Sequence, residues 1–133
     1  MTRREARETV MKMLYENSVQ PDKQASVLLE ENIAKIKGKV KTFIEEEFLG
    51  VIEHQEEIQS IIKESAKNWA IDRIAKVDYM ILQLAIYELK FNEEIPAKVV
   101  INEAIEISKM YSTEKSPKFI HGVLANAVKL LEA

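Results

Sequence analysis

Apolar residues recur every three or four positions along most of the chain, which is the spacing of one face of an α-helix. The first such run extends from Arg3 to Val19, and Pro21 just beyond it ends the predicted helix. A second run stops at Gly38, a residue suited to the left-handed conformation at a helix C-terminus. The pattern therefore predicts two amphipathic helices in this first part of the chain.

The next two apolar runs carry many glutamates. A third helix is predicted from about Val40, and Gly50 within it leaves open whether it is one helix or two. A fourth helix continues the apolar face as far as Trp69. The run of glutamates from Glu45 to Glu47 is interpreted as a solvated helix face that would repel nucleic acid.

The second half of the chain contains the most apolar segment, from Ile71 to Phe91. This segment is hydrophobic nearly all round, which is typical of a central helix. A loop ending at Pro96 separates it from a further helix that reaches Tyr111. Ser116-Pro117 then marks the start of the last helix, with Ser as N-cap and Pro at the first helical position. The pattern predicts an all-α protein of about seven helices joined as a bundle.

Composition supports this class and limits the available chemistry. The chain has 133 residues, of which 47% are hydrophobic, enough for one compact domain over residues 1–133. The chain has only three glycines and three prolines, and this small number argues against an all-β fold with its frequent turns. The lack of cysteine excludes a disulfide framework and favours a reducing, cytoplasmic location. No apolar stretch approaches the length of a membrane span, so we expect no membrane association.

No arrangement of titratable residues indicates catalysis, a metal or a cofactor. The two histidines, His54 and His121, lie on different predicted helices, and neither has a second ligand at metal-binding spacing. Asp72 and Asp78 lie about 240° apart around a helix axis, so they do not share a face. They are interpreted as a helix-dipole partner and a surface acid. We therefore expect a protein that is not an enzyme and has neither metal nor cofactor.

Three N-terminal arginines form the first candidate binding surface. The net charge of −3 gives no overall positive field, but Arg3, Arg4 and Arg7 fall within an arc of about 100° on the first helix. Guanidinium groups bind phosphate bidentately and stack on exposed bases, which indicates an RNA-binding surface. From the arginines alone, the favoured alternative is a solvated helix terminus without a ligand.

A second candidate surface lies at the start of the last helix, where Lys115, Lys118 and Phe119 cluster. Backbone N–H groups at a helix N-terminus favour anions. The Phe119 ring either packs on the core, which is the favoured alternative, or stacks on a base. Gly122 in mid-helix is typical of the close approach of another helix or of a ligand. An RNA site built from both surfaces requires the first and last helices to be neighbours, and we predict that they are.

Four segments resemble those of a known family. PAKVVINEAIEISK from Pro96 to Lys109 and SPKFIHGVL from Ser116 to Leu124 resemble the signature of the bacterial NusB family of transcription antitermination factors. IYEL from Ile86 to Leu89 and the opening RREARE from Arg3 to Glu8, with Leu14-Tyr15, agree with it. The resemblance covers nearly the whole chain, although residues 20–71 match only in helical pattern and length.

The resemblance implies a fold and a function. The fold is all-helical, with two small helical subdomains packed across each other. The function is binding of the boxA element, as single-stranded RNA, in nascent ribosomal RNA transcripts together with the ribosomal protein NusE. That complex joins other Nus factors on RNA polymerase and suppresses premature termination.

The resemblance also assigns site residues. Arg3, Arg4 and Arg7 are the matched arginine contacts to RNA, Phe119 is the matched base-stacking ring, and Lys118 and Gly122 lie in the same motif. The NusE-facing surface corresponds to the following residues: Tyr15, Asp72 and Asp78.

Two departures from the family pattern concern the RNA site. Glu5 interrupts the arginine run, and His121 stands where the family commonly has Asn. If that position donates to RNA, we expect the RNA affinity to depend on pH near neutrality. Two other functions stay open, namely an accessory RNA-binding domain acting with an RNA methyltransferase and a helical scaffold that binds only protein. The pattern does not distinguish a monomer from a homodimer.

Overall fold

A computed structural model describes residues 1–69 and 74–133 of the chain. Within these residues every regular element is helical, which confirms the predicted all-α class of about seven helices. The helices in chain order are α1 (Arg3–Val19), α2 (Ala25–Ile33), α3 (Lys39–Glu53), α4 (Gln55–Ser65), α5 (Lys76–Phe91), α6 (Ala97–Tyr111) and α7 (Ser116–Glu132). None of the helices described is long and apolar enough to cross a membrane.

Helix α5 is the centre of the fold, as its apolar sequence predicts. It packs against α1 and α3 and also against α4, α6 and α7. Helices α1, α2 and α3 also pack on one another, while α7 packs on both α4 and α6. The result is two helical groups joined through α5, in agreement with the predicted pair of subdomains.

The first helix begins at the residue that its sequence dictates. Thr2 and Glu5 form a capping box, in which the Glu5 N–H donates to Thr2 Oγ1 (3.1 Å) and the Thr2 N–H donates to Glu5 Oε1 (2.7 Å). These hydrogen bonds, first that from the Thr2 backbone, lower the pKa of Glu5. The glutamate that interrupts the arginine run therefore caps the helix that presents those arginines.

Two glycines take roles that differ from the predicted ones. Gly38 has a positive φ of 78°, but it immediately precedes α3, whereas α2 has already ended at Ile33. Its prediction as the C-terminal residue of the second helix is therefore wrong. Gly50 does not break α3, and a Cβ at this position would overlap the ring of Tyr87, so the close approach of α5 requires glycine here.

Three helix boundaries also differ from prediction. Helix α4 ends at Ser65, so Trp69 lies beyond it and not on its apolar face. The central helix begins at Lys76, five residues after the predicted Ile71, which falls outside the described residues. Ser116 is the first residue of α7, and Lys115 occupies the N-cap position that was predicted for Ser116.

Candidate nucleic-acid interface

The three N-terminal arginines have different surroundings, and Arg7 is buried. Its side chain is 6% exposed, and its Nε and Nη2 donate to the Glu88 carboxylate at 2.9 and 2.8 Å. Its Nη1 also lies 3.5 Å from Oε1 of Glu103. Arg7 thus connects α1 to α5 and α6, and its guanidinium cannot reach a phosphate without breaking the pair with Glu88.

Arg3 and Arg4 lie at the surface. The guanidinium carbon of Arg3 lies 4.1 Å from the centroid of the Phe43 ring, and Arg3 forms no ion pair within the described residues. Arg4 Nη2 donates to Glu103 Oε2 at 2.6 Å, with the Arg4 side chain 41% exposed. Exposed ion pairs are worth only about 0–1 kcal/mol, so Arg4 can exchange Glu103 for a phosphate at little cost.

A buried carboxyl group, that of Glu47, lies near Glu88 and the arginines of α1. Glu47 is buried, and its Oε1 has no hydrogen-bond partner. Burial, followed by the neighbouring Glu88 carboxylate, raises the pKa of Glu47 to about 10, so this side chain is neutral at pH 7. The interpretation of the run from Glu45 to Glu47 as a wholly solvated face is therefore wrong at its last residue, because that residue faces α5.

The second candidate surface is a groove of about 1110 Å³ beside the start of α7. Lys118, Phe119 and Gly122 all line it, so the structure brings these three predicted residues together. Lys115 and Lys118 are exposed and have no ion-pair partner among residues 1–69 and 74–133. The groove therefore combines two exposed lysines with an aromatic ring.

Trp69 completes the groove, and sequence reasoning missed it because its spacing continues the apolar face of α4. The rings of Trp69 and Phe119 meet edge to face, with centroids 5.5 Å apart and planes at 83°. A Cβ on Gly122 would lie 3.3 Å from Cη2 of Trp69. The glycine predicted to permit a close approach therefore permits that of the Trp69 indole.

The residues assigned to a protein partner are not equally accessible. Tyr15 is exposed, with Lys76 Nζ 5.7 Å from the ring centroid. Asp78 is buried and accepts hydrogen bonds from Ser112 Oγ (2.6 Å) and Ser116 Oγ (2.8 Å), so its interpretation as a surface acid is wrong. This network also explains why the Ser116 hydroxyl does not cap α7. Asp72 lies outside the described residues.

The two candidate surfaces belong to different parts of the fold. Helix α1 packs on α2, α3 and α5 and touches α6, whereas α7 packs on α4, α5 and α6. The prediction that the first and last helices are neighbours is therefore wrong, because α5 and α6 lie between them. Helix α6 connects the surfaces, since Glu103 contacts Arg4 and Tyr111, about 12 Å further along the helix axis, leads into the turn before α7.

The histidines have separate environments. His54, between α3 and α4, stacks on Phe91 with ring centroids 4.1 Å apart. His121 is exposed on α7 and lines the groove. Among the residues that the structure describes, no group of three His, Cys, Asp or Glu side chains could hold a metal ion.

The amino-acid sequence of the chain is similar to those of transcription antitermination proteins. The sequence model of the NusB family matches residues 4–129. Transcription antitermination protein NusB from Thermoanaerobacter sp. (strain X514) is 46% identical over 131 residues, which cover 97% of this chain and 91% of the relative. The protein of the same name from Bacillus cereus (strain B4264) is 40% identical over 126 residues, covering 95% and 96% of the two chains.

Solved structures show the same likeness in three dimensions. A structure of T. maritima NusB superimposes with a TM-score of 0.89 at 35% identity, covering 97% of this chain and 92% of the other. A chain in the crystal structure of the antitermination factors NusB and NusE in complex with dsRNA gives a TM-score of 0.83 at 29% identity. That alignment covers 98% of this chain and 99% of the other.

Proposed function

Because the chain belongs to the NusB family, we propose that it is a transcription antitermination factor that binds RNA together with NusE. The observation that carries this proposal is the groove beside α7, where the exposed Lys118 and the Phe119 ring lie together. Cationic side chains bind the phosphates of single-stranded RNA, and aromatic rings stack on its bases. The similar fold of a chain in the NusB–NusE–dsRNA complex supports the same conclusion.

The exposed cations have the chemistry of phosphate contacts. Arg3 and Arg4 bind phosphates on the α1 side, and Lys118 binds one at the groove. Arg7 is a positioning residue, because its guanidinium is buried against Glu88 and lies near the Glu103 carboxylate that also holds Arg4. The RNA strand crosses α6 between the two surfaces.

The protein partner fits the C-terminal part of α1, several turns beyond Arg3 and Arg4. Tyr15 is exposed there and offers an apolar ring to NusE. Asp78 is buried and contributes by fixing the start of α5, while Asp72 is the matched acid of that surface. The wider assembly follows from the family, with boxA RNA as ligand, other Nus factors and RNA polymerase as partners, and the cytoplasm as location. The protein acts as one domain and without catalysis.

The decisive experiment is RNA binding as a function of salt. A short single-stranded boxA-type RNA is titrated with and without NusE, beside a scrambled single strand and a duplex of the same sequence. Three phosphate contacts predict a slope of about −2 in log affinity against log salt, at about −0.7 per contact on a single strand. Preference for the boxA-type strand is the expected result. Equal, negligible binding to all three RNAs in the presence of NusE would leave the protein-only scaffold as the better function.

A further inference from the structure

Trp69 is the only tryptophan of the chain, and its side chain is exposed to solvent. It follows the end of α4, and 39% of the residue surface is open to solvent. Phe119, by contrast, is only partly exposed, because it packs against the core. The more accessible of the two rings in the groove is therefore the indole.

The position of the indole is held from two sides. Phe119 meets it edge to face at 5.5 Å, and Gly122 leaves space for its Cη2 where a side chain would come within 3.3 Å. A ring that is fixed before binding loses little conformational freedom when a base stacks on it. The arrangement thus preorganises Trp69 as a flat surface.

The charges around the indole suit a nucleic acid strand. Lys115, Lys118 and His121 line the same groove and are exposed. Of the two carboxylates among the described lining residues, Asp78 accepts hydrogen bonds from the hydroxyls of Ser112 and Ser116, which leaves Glu114 as the only other acid in that described part of the lining. Cations beside an exposed aromatic ring are the combination that single-stranded nucleic acids require.

We propose that Trp69 is a base-stacking surface of the RNA site, with Phe119 supporting the indole from the side of the core. The proposal rests on the RNA binding proposed above and adds to it a residue outside the matched family motifs. The ligand is an unpaired nucleotide whose flanking phosphates contact Lys115 and Lys118. Stacking of this kind tolerates any base, so Trp69 contributes affinity more than sequence preference.

The single tryptophan allows the proposal to be tested directly. Intrinsic fluorescence of the wild-type protein is followed while the boxA-type single strand is added in the presence of NusE lacking tryptophan. Stacking predicts strong quenching and protection of the indole from acrylamide. In parallel, RNA affinity is measured for Trp69→Leu, Trp69→Phe and Gly122→Ala by an assay with labelled RNA.

Trp69→Leu is expected to weaken RNA binding by about tenfold or more, as for loss of one base–aromatic stack. Trp69→Phe keeps a ring and is expected to retain most of the affinity. Gly122→Ala displaces the indole by a few tenths of an ångström and is expected to give an intermediate loss. If the variants have the same thermal unfolding midpoints as the wild type, the losses of RNA affinity arise at the RNA site and not from loss of folding.

The outcomes separate this proposal from the proposed function. If the wild type binds RNA while Trp69→Leu binds equally well, the stacking proposal is overturned and RNA binding stands. If the wild type binds no RNA with NusE present, both proposals fail. If Trp69→Leu does not fold, the wild-type fluorescence decides: RNA binding that leaves the indole as open to acrylamide as before overturns the stacking proposal.

Discussion

The arginine region at the start of α1 and the groove beside α7 both carry positive charge, but they use it differently. In the arginine region two of the three guanidinium groups are paired with carboxylates of the same chain, Arg7 with Glu88 and Arg4 with Glu103. In the groove Lys115 and Lys118 have no such partner within the described residues. The comparison teaches that the number of cations in a motif does not give the charge available to a ligand, since folding neutralises some of them.

The largest expected effect concerns stability, because a cation of the arginine region, Arg7, is part of the buried structure of the protein. The substitution Arg7→Ala tests this role. Removing Arg7 leaves the buried Glu88 carboxylate without its bidentate partner, which we expect to cost about 3–5 kcal/mol of unfolding free energy. Urea denaturation followed by circular dichroism measures the loss. Arg3→Ala is the matched control and should change stability by about 1 kcal/mol or less, because Arg3 is exposed and its contact is the cation–π interaction with the Phe43 ring. Similar losses in the two variants would contradict the structural role of Arg7.

The buried acid makes the stability of the arginine region depend on pH. Since the pKa of Glu47 is raised to about 10 in the folded protein, the folded state holds a proton that the unfolded state releases above its ordinary pKa of 4.5. The stabilisation that this bound proton gives to the folded protein is therefore fully present below about pH 4.5. As the pH rises from there towards 10, the free energy of unfolding decreases by at most about 1.4 kcal/mol per pH unit.

Glu47→Gln tests this dependence, because glutamine keeps the shape and cannot ionise. We expect the unfolding free energy of the variant to fall less steeply between pH 6 and 9 than that of the wild type. Glu46→Gln is the control, since Glu46 is exposed on the same helix. Parallel pH profiles for wild type and Glu47→Gln would show that Glu47 is not held neutral.

The smallest effect concerns a single exposed lysine of the groove. Lys118→Ala is expected to make the slope of log RNA affinity against log salt shallower by about 0.7, with affinity at moderate salt lowered only a few-fold. Lys35→Ala is the control, because Lys35 is exposed in the connection between α2 and α3 and does not line the groove. A slope that Lys118→Ala leaves unchanged would remove this lysine from the phosphate contacts.

The sequence predicts the helices well where the signals are local. The bounds of α1 follow from its apolar spacing and from Pro21, and the central position of α5 follows from its apolar residues. Gly38 was placed at the wrong helix end because a positive φ suits both the end of one helix and the residue before the next. Local patterns thus predict the elements better than their exact ends.

The site is less predictable because its residues depend on contacts distant in the sequence. Arg7 is buried by Glu88, 81 positions later, and nothing near Arg7 distinguishes it from the exposed Arg3. Ser116 carries a good N-cap signal, yet its hydroxyl donates to Asp78, 38 positions earlier. Trp69 is a regular member of an apolar pattern, and only the end of α4 at Ser65 shows that it faces the groove.

Helix α6 has a consequence for how RNA length affects binding. It holds the arginine region and the groove at a fixed separation, because it contacts Arg4 through Glu103 and runs directly into the turn before α7. Under the proposed function the protein is a rigid bivalent receptor, in which binding at one region makes binding at the other intramolecular. A strand long enough to span α6 gains avidity from both regions, whereas a fragment confined to one of them gains none. Strand length thus becomes a source of selectivity that no single residue contact supplies.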